Sequence, residues 1–244
     1  MNLLLVEPTE VASDGTVVLD DRRADHLRGV IGATLGQTVR AGIVGGGIGT
    51  AEVTADDGTA MTLRLELTVA PSPPLPIELV LAIPRPKVLS RVIETAAAFG
   101  VERVDLTNAW RVDKSYLASP RLETDSLQRA LRLGAEQGAT THIPRLAIHE
   151  RLMSLLDSRW PADAPGPPPT RLLAHPGAPP IEQADLAWPL AIAVGPEGGW
   201  IQREVDTFVE RGFTPVSLGS PILRVEAVVP AMLGQLLVLH RVGG

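Results

Sequence analysis

The chain has 244 residues, 45% of them hydrophobic, and a formal net charge of −6. That length suits one large domain or two smaller ones, the apolar content rules against disorder as the default, and the acidic balance speaks against a general nucleic-acid coat. There is no cysteine, which excludes disulfides and thiolate metal sites. No apolar run approaches the ~20 residues that cross a bilayer, and the start, Met1 to Pro8, is too short and too acidic for a signal peptide. A cytoplasmic protein with no membrane partner is therefore expected. Charge is unevenly spread: residues 1–70 carry 5 basic and 10 acidic groups, whereas residues 84–145 carry 10 and 7. A local basic face in the middle of the chain is one reading. An arginine excess set by genome composition is the other, since Lys87 and Lys114 are the sole lysines.

Residues 1–70 read as β-rich. Runs at Leu3–Val6, Thr16–Leu19, Thr38–Ile43, Thr50–Thr54 and Met61–Val69 are separated by Asp-Gly and Gly-Gly turns. Asp21–Arg28 is the exception and predicts one helix. Five strands and a helix suggest a small barrel of a kind that often handles RNA or protein. Pro71-Ser72-Pro73-Pro74-Leu75-Pro76 marks the boundary, because four prolines in six residues make a stiff, extended connector.

Beyond it strands and helices alternate, which implies a mostly parallel sheet in residues 77–244. Ile77–Ile83 reads as a buried strand. A helix over Lys87–Phe99 stripes Leu89, Val92, Ile93, Ala96 and Phe99, and Gly100 ends it. Val104–Leu106 is a strand, and Leu127, Ala130, Leu131 and Ala135 stripe another helix. A short helix near Glu150–Trp160 leads into Pro161–Thr170, read as a surface loop, and then to strand Arg171–Ala174. Leu190–Val194 is a further buried strand. A helix with Ile201, Val205, Phe208 and Val209 on one face follows it, then a short strand Pro215–Leu218 and a last apolar helix.

Two turns stand out as places for chemistry. Gly195-Pro196-Glu197-Gly198-Gly199 ends a strand and opens a helix. It fits neither the dinucleotide fingerprint nor a P-loop, yet glycine there permits close approach of backbone to a ligand. The plain alternative is a tight turn with Glu197 near a helix N-terminus. Leu218-Gly219-Ser220-Pro221-Ile222-Leu223-Arg224-Val225-Glu226 ends the next strand. Arg224 and Glu226 lie between apolar runs, where charge is costly unless paired or used; a structural ion pair is the plain reading. Strand ends of this sort are where open α/β sheets hold ligands.

Together the two turns resemble those of the bacterial ribosomal RNA uridine-N3 methyltransferases of the RsmE type, in the SPOUT superfamily. The resemblance is carried by Val194–Gly199, Gly212–Gly219 and Ile222–Ala227. Weaker echoes run in family order through His26-Leu27-Arg28, Ile93-Glu94, Phe99-Gly100-Val101, Ala135-Glu136-Gln137 and Ala174-His175-Pro176. The resemblance implies an N-terminal PUA-like β-barrel and a C-terminal α/β trefoil-knot methyltransferase domain. It further implies an S-adenosylmethionine site completed in a homodimer, and a 16S ribosomal RNA or small-subunit substrate. Carried over, His175, Gly195, Pro196, Glu197, Gly198, Leu218, Gly219, Ile222 and Leu223 would line the cofactor site. Arg224 would face the substrate or the reacting end of the cofactor, and Glu226 or Glu197 would orient it or accept a proton. Arg22, Arg23, His26 and Arg28 of the barrel, with Arg111 of the second domain, are the expected RNA contacts. His142, His149 and His240 have no metal-ligand spacing, and no metal is expected.

Two rival functions stay open on sequence. One is a SPOUT methyltransferase with another RNA target; the other is a non-catalytic RNA-binding or ribosome-assembly factor. The absence of an arginine after Gln137, and Val225 and Ala227 in place of threonines, favour the latter. The intact Gly-Pro-Glu-Gly-Gly and Leu-Arg-x-Glu turns count against it.

Overall fold

The computed structural model describes residues 2–71, 73–161, 170–219 and 222–243. The expected loop at Pro161–Thr170 thus lies mostly outside the described residues, as do Ser220 and Pro221. Two compact units are present: Met1–Pro73 with Arg132–Ile143, and Pro74–Leu131 with Pro144–Gly244.

In the first unit, β1 (Leu4–Val6), β2 (Thr16–Leu19), β3 (Thr38–Ile43), β4 (Ile48–Asp56) and β5 (Met61–Val69) form a mixed sheet in the order β1-β3-β4-β5-β2. Only β1 and β3 run parallel. The edge strands nevertheless share one core: Leu4 and Val6 of β1 cluster with Val17 and Leu19 of β2, and with Ala24 and Leu27 around the helix α1 (Arg22–His26). A flat five-stranded sheet would hold its edges ~19 Å apart, so the shared cluster means that the sheet curls on itself. Side chains alternate across a strand, and the odd residues Leu3 and Leu5 accordingly enter a second cluster with Ile48 and Ala135.

That second cluster explains an unforeseen division of the chain. Helix α4 (Thr124–Gly138) reads on sequence as one stripe of the second domain, but from Arg132 onward it belongs to the first unit. The main-chain oxygen of Glu136 accepts from the amides of Asn2 and Leu3, each at 3.1 Å.

The second unit holds a six-stranded, all-parallel sheet in the order β11-β9-β10-β6-β7-β8. Its strands are β6 (Leu75–Ala82), β7 (Val101–Thr107), β8 (Arg145–His149), β9 (Thr170–Ala174), β10 (Leu190–Val194) and β11 (Phe213–Val216). The Pro-rich connector is shorter than its composition implies, since β6 already begins at Leu75. Pro76 has no amide to give to a ladder, and the β6–β7 register shifts there, between Leu75 and Glu78. Pro215 is accommodated because β11 is an edge strand.

Helices α2 (Pro86–Ala98), α3 (Lys114–Leu117), α5 (Leu152–Arg159), α6 (Gln202–Glu210) and α7 (Val225–Gly243) complete this unit. Pro86 occupies the first position of α2, where its missing amide costs nothing. α6 buries Val205 and Phe208, while Val209, expected on the same stripe, is half exposed and Ile201 precedes the helix. α7 packs on α2 and β10 and buries Val229, Met232, Leu233 and Leu236. Its window Val225–Val242 has a mean hydropathy of 1.4, so by length and composition it could cross a membrane. The sequence reading missed this because Glu226 and Arg241 interrupt the run.

Candidate active site

The last residues of β9, β10 and β11, Ala174, Val194 and Val216, all border one cavity of about 520 Å³. This is the size of a small-molecule site, and it lies at the C-terminal edge of three adjacent parallel strands, where such sheets place ligands. Its walls continue through His175–Pro176, Gly195–Trp200, Ser217–Gly219 and Ile222–Val225, with Val228 and Met232 of α7 behind. All nine residues expected to hold a cofactor, His175, Gly195, Pro196, Glu197, Gly198, Leu218, Gly219, Ile222 and Leu223, line it.

The Gly195–Gly199 turn is closed by the amide of Gly199 donating to the Pro196 carbonyl at 2.7 Å. Gly199 takes a φ of +70°, in the left-handed region that glycine enters without steric cost. Glu197 does not stand free in the turn. Its Oε1 accepts from the amide of Arg85 at 2.9 Å, just before α2, where backbone donors lack helical partners. Trp200 ends the turn, buried, with its ring edge-on to Phe208 at 4.9 Å. The indole Nε1–H is buried and has no acceptor among the described residues.

A second segment, the connection after β7, is fastened to this turn. Arg111 Nη1 donates to the Gly198 carbonyl at 2.6 Å, and Arg111 also borders the cavity. A Cβ at Gly198 would come within 3.2 Å of Arg111 Cδ, so a glycine there lets the two segments lie together. The Glu204 carboxylate bridges them. One oxygen accepts from the Trp110 amide at 2.8 Å, and the other from the Ile201 amide at 3.0 Å. The Ile201-x-x-Glu204 spacing of a helix N-terminus was a readable signal for half of that bridge. Nothing in the sequence pointed to Trp110 or Trp200.

Arg224 is exposed at the cavity wall. Neither it nor Glu226 makes an ion pair among the described residues, so the structural pair that the sequence allowed is not seen. Glu226 stands in the first turn of α7, where a carboxylate complements the helix dipole, and it does not line the cavity.

The barrel residues are differently disposed. Arg23 is 6% exposed and tied to Glu10, Asp21 and the Leu5 carbonyl. The Glu10 hydrogen bond, followed by those of Asp21, raises its pKa further above the ordinary guanidinium value. Its guanidinium therefore holds the barrel together, and an RNA phosphate could engage it only by breaking those bonds. Arg22 pairs with buried Glu136 at 2.9 Å and Arg28 with Asp56 at 2.8 Å. His26 is half-buried on the same helix.

The family model described as RNA methyltransferase domain matches residues 71–237. The chain belongs to that family. The ribosomal RNA small subunit methyltransferase E of Treponema pallidum is 26% identical over 251 residues, covering 95% of this chain and 88% of the relative. Among solved structures, a ribosomal RNA small subunit methyltransferase E from Neisseria gonorrhoeae, bound to S-adenosyl methionine, superposes with a TM-score of 0.79. That match has 23% identity and covers 98% of both chains. A putative methyltransferase from Legionella pneumophila, in complex with the same cofactor, also gives 0.79, at 21% identity over 98% of this chain and 97% of that one. The α/β architecture is that of these methyltransferase structures.

Proposed function

We infer that this chain is an S-adenosylmethionine-dependent methyltransferase acting on N3 of a uridine in 16S ribosomal RNA. The observation that carries this reading is the convergence of three strand ends, with all nine expected cofactor residues, on one cavity. Membership of the RNA methyltransferase family, and relatives named as small-subunit methyltransferases, support the reaction class and the substrate.

The residues present fit such a cofactor. The walls are mainly apolar with a few polar groups, as small-molecule sites require. The buried Trp200 Nε1–H is a donor in want of an acceptor. A Cβ at Gly219 would meet nothing within 4 Å among the described residues, so the backbone there is open to a ligand. Bound in this cavity, S-adenosylmethionine supplies an electrophilic methyl group. The protein has to orient the acceptor in line and manage a proton. Uridine N3 carries that proton near neutral pH, and Arg224, cationic and without a carboxylate partner among the described residues, is suited to favour the developing anion at the uracil oxygens. Glu226 reads as a residue that positions the start of α7.

The rest of the assignment follows the same reading. The first unit serves as a PUA-like barrel that contacts RNA through exposed Arg22 and half-buried His26 and Arg28. The second is a SPOUT domain whose last segment passes through a trefoil knot. The working form is a cytoplasmic homodimer. The test is methyl transfer from labelled S-adenosylmethionine to small subunits from a strain lacking the gene. Mass spectrometry of the product should find a single N3-methyluridine in 16S RNA. Cofactor binding without any transfer to those particles would sink the enzymatic reading.

A further inference from the structure

Trp110 is 79% exposed. Of the four tryptophans in the chain, Trp160, Trp188 and Trp200 make ring contacts, and among the described residues Trp110 makes none. A lone exposed aromatic calls for no explanation by itself. What distinguishes Trp110 is how it is held. Ala109 and Val112, on either side of Trp110 and Arg111, are buried, and the Val112 amide closes the turn on the Ala109 carbonyl at 3.0 Å. Glu204 holds the Trp110 amide, and Arg111 holds the Gly198 carbonyl at the cavity wall. A fixed main chain thus presents a bare indole one residue from the cavity rim.

The same connection carries Arg111, Lys114 and Arg121, and none of them has a carboxylate partner among the described residues. Of the arginines in the first unit, Arg22, Arg23 and Arg28 are paired, whereas Arg40 and Arg64, on strands, make no ion pair among the described residues. Along the chain, Arg111 adjoins Trp110, and Lys114 and Arg121 follow four and eleven residues after it. An aromatic face with unpaired cations beside it is the chemistry that binds an unstacked base and its flanking phosphates. A second copy of the chain fits less well. In a two-fold contact the patch would meet itself, which brings two sets of these cations together with only Asp113 and Glu123 of the same connection to offset them.

We propose that Trp110 is the platform on which a base of single-stranded RNA stacks at the mouth of the cavity, with Lys114 and Arg121 holding the adjoining phosphates. This rests on the methyltransferase reading and adds to it. The substrate must be presented as an unpaired strand, because a duplex buries the face that the indole would cover and the N3 that must react.

The test uses the full-length protein with a fluorescein-labelled oligouridylate of about 12 nucleotides, and a blunt RNA duplex as control. Anisotropy at several salt concentrations gives RNA affinity, calorimetry gives S-adenosylmethionine affinity, and light scattering gives mass. Trp110→Ala should weaken oligouridylate binding about tenfold or more, with cofactor affinity and mass unchanged. Trp110→Phe should keep most of the binding. Lys114→Ala with Arg121→Ala should flatten the salt dependence. Equal binding by wild type and Trp110→Ala would overturn the platform while leaving the methyltransferase reading intact. Preference for the duplex, or a changed mass in Trp110→Ala, would also overturn it. Wild-type protein that binds cofactor and no RNA would sink the RNA reading and the platform together.

Discussion

Gly219 takes a φ of +83°, and a Cβ built on it meets nothing within 4 Å among the described residues. A valine there would suffer backbone strain of about 1–2 kcal/mol, and its side chain would start from a Cβ that no described atom approaches, at the border of the cavity. Gly219→Val should therefore stay folded and lose cofactor binding; undiminished binding in a calorimetric titration would refute that assignment. Arg224 lends itself to a different measurement. If it acts on the reacting uracil, Arg224→Ala should lower kcat more than tenfold and leave cofactor affinity nearly unchanged. A loss confined to cofactor affinity would make it part of the wall. Gly219 and Arg224 were both legible in the sequence because the signals are local: glycines at strand ends, and a charge between apolar runs. The Glu204 bridge was not. It joins the Trp110 amide to a carboxylate 94 residues later in the chain, and no local pattern encodes that meeting.

Elements were more legible than their partnerships. The runs Thr16–Leu19, Thr38–Ile43, Met61–Val69 and Leu190–Val194 coincide with β2, β3, β5 and β10, because alternation or an unbroken apolar stretch between turn residues specifies a strand directly. β8 was missed because it is an edge strand with an exposed isoleucine, Ile148, and too little apolar character to register. Its attachment is partly ionic. Asp105 of β7 is 1% exposed, and its carboxylate accepts from Arg103 and meets His149 Nε2 of β8 at 2.9 Å. Arg159 of α5 stands 3.6 Å away and also pairs with Glu78 of β6. Burial alone would raise the Asp105 pKa, but hydrogen bonds from Arg103 and His149 outweigh it and hold the carboxyl below its usual range. A depressed folded pKa stabilises fully above the unfolded value of about 3.9. That contribution is lost as pH falls through the folded value beneath it. Asp105→Asn should cost about 3 kcal/mol at neutral pH, since it leaves Arg103 without its carboxylate, while Arg159 keeps Glu78. It should also make the acid limb of a urea-midpoint profile shallower than that of wild type. Parallel profiles would show that Asp105 does not carry the acid sensitivity.

At the scale of the whole molecule, composition and alternation gave a β-rich first part and a parallel α/β second part. The transfer of Arg132–Ile143 to the first unit could not be read, because the 3.6-residue stripe of α4 runs unbroken past the point where its contacts change partner. The least satisfied surface in the second unit belongs to α7. Its core face is filled by Val229, Met232, Leu233 and Leu236, yet Val238 and Val242 are exposed and Val228, Leu237 and Leu239 only half covered. A shallow groove along it is lined by Ile181, Glu182, Gly234, Gln235, Val238 and Leu239. A helix apolar on more than one side needs a second surface to cover it. A two-fold copy of itself supplies one without any further partner, because an isologous contact pairs the same patch on both chains. Val228 and Met232 of this helix also border the cavity at the strand ends, so covering the outer face would steady that wall. Val238→Glu puts a charge in the middle of the contact and leaves the core face of α7 untouched. Wild-type protein at micromolar concentration should scatter light as a dimer, and the variant should fall to a mass near the 25.9 kDa of one chain. The variant's thermal unfolding should remain cooperative while its S-adenosylmethionine affinity drops. If the wild type itself runs at the single-chain mass with cofactor bound, α7 is not the dimer contact and the site is complete in one chain.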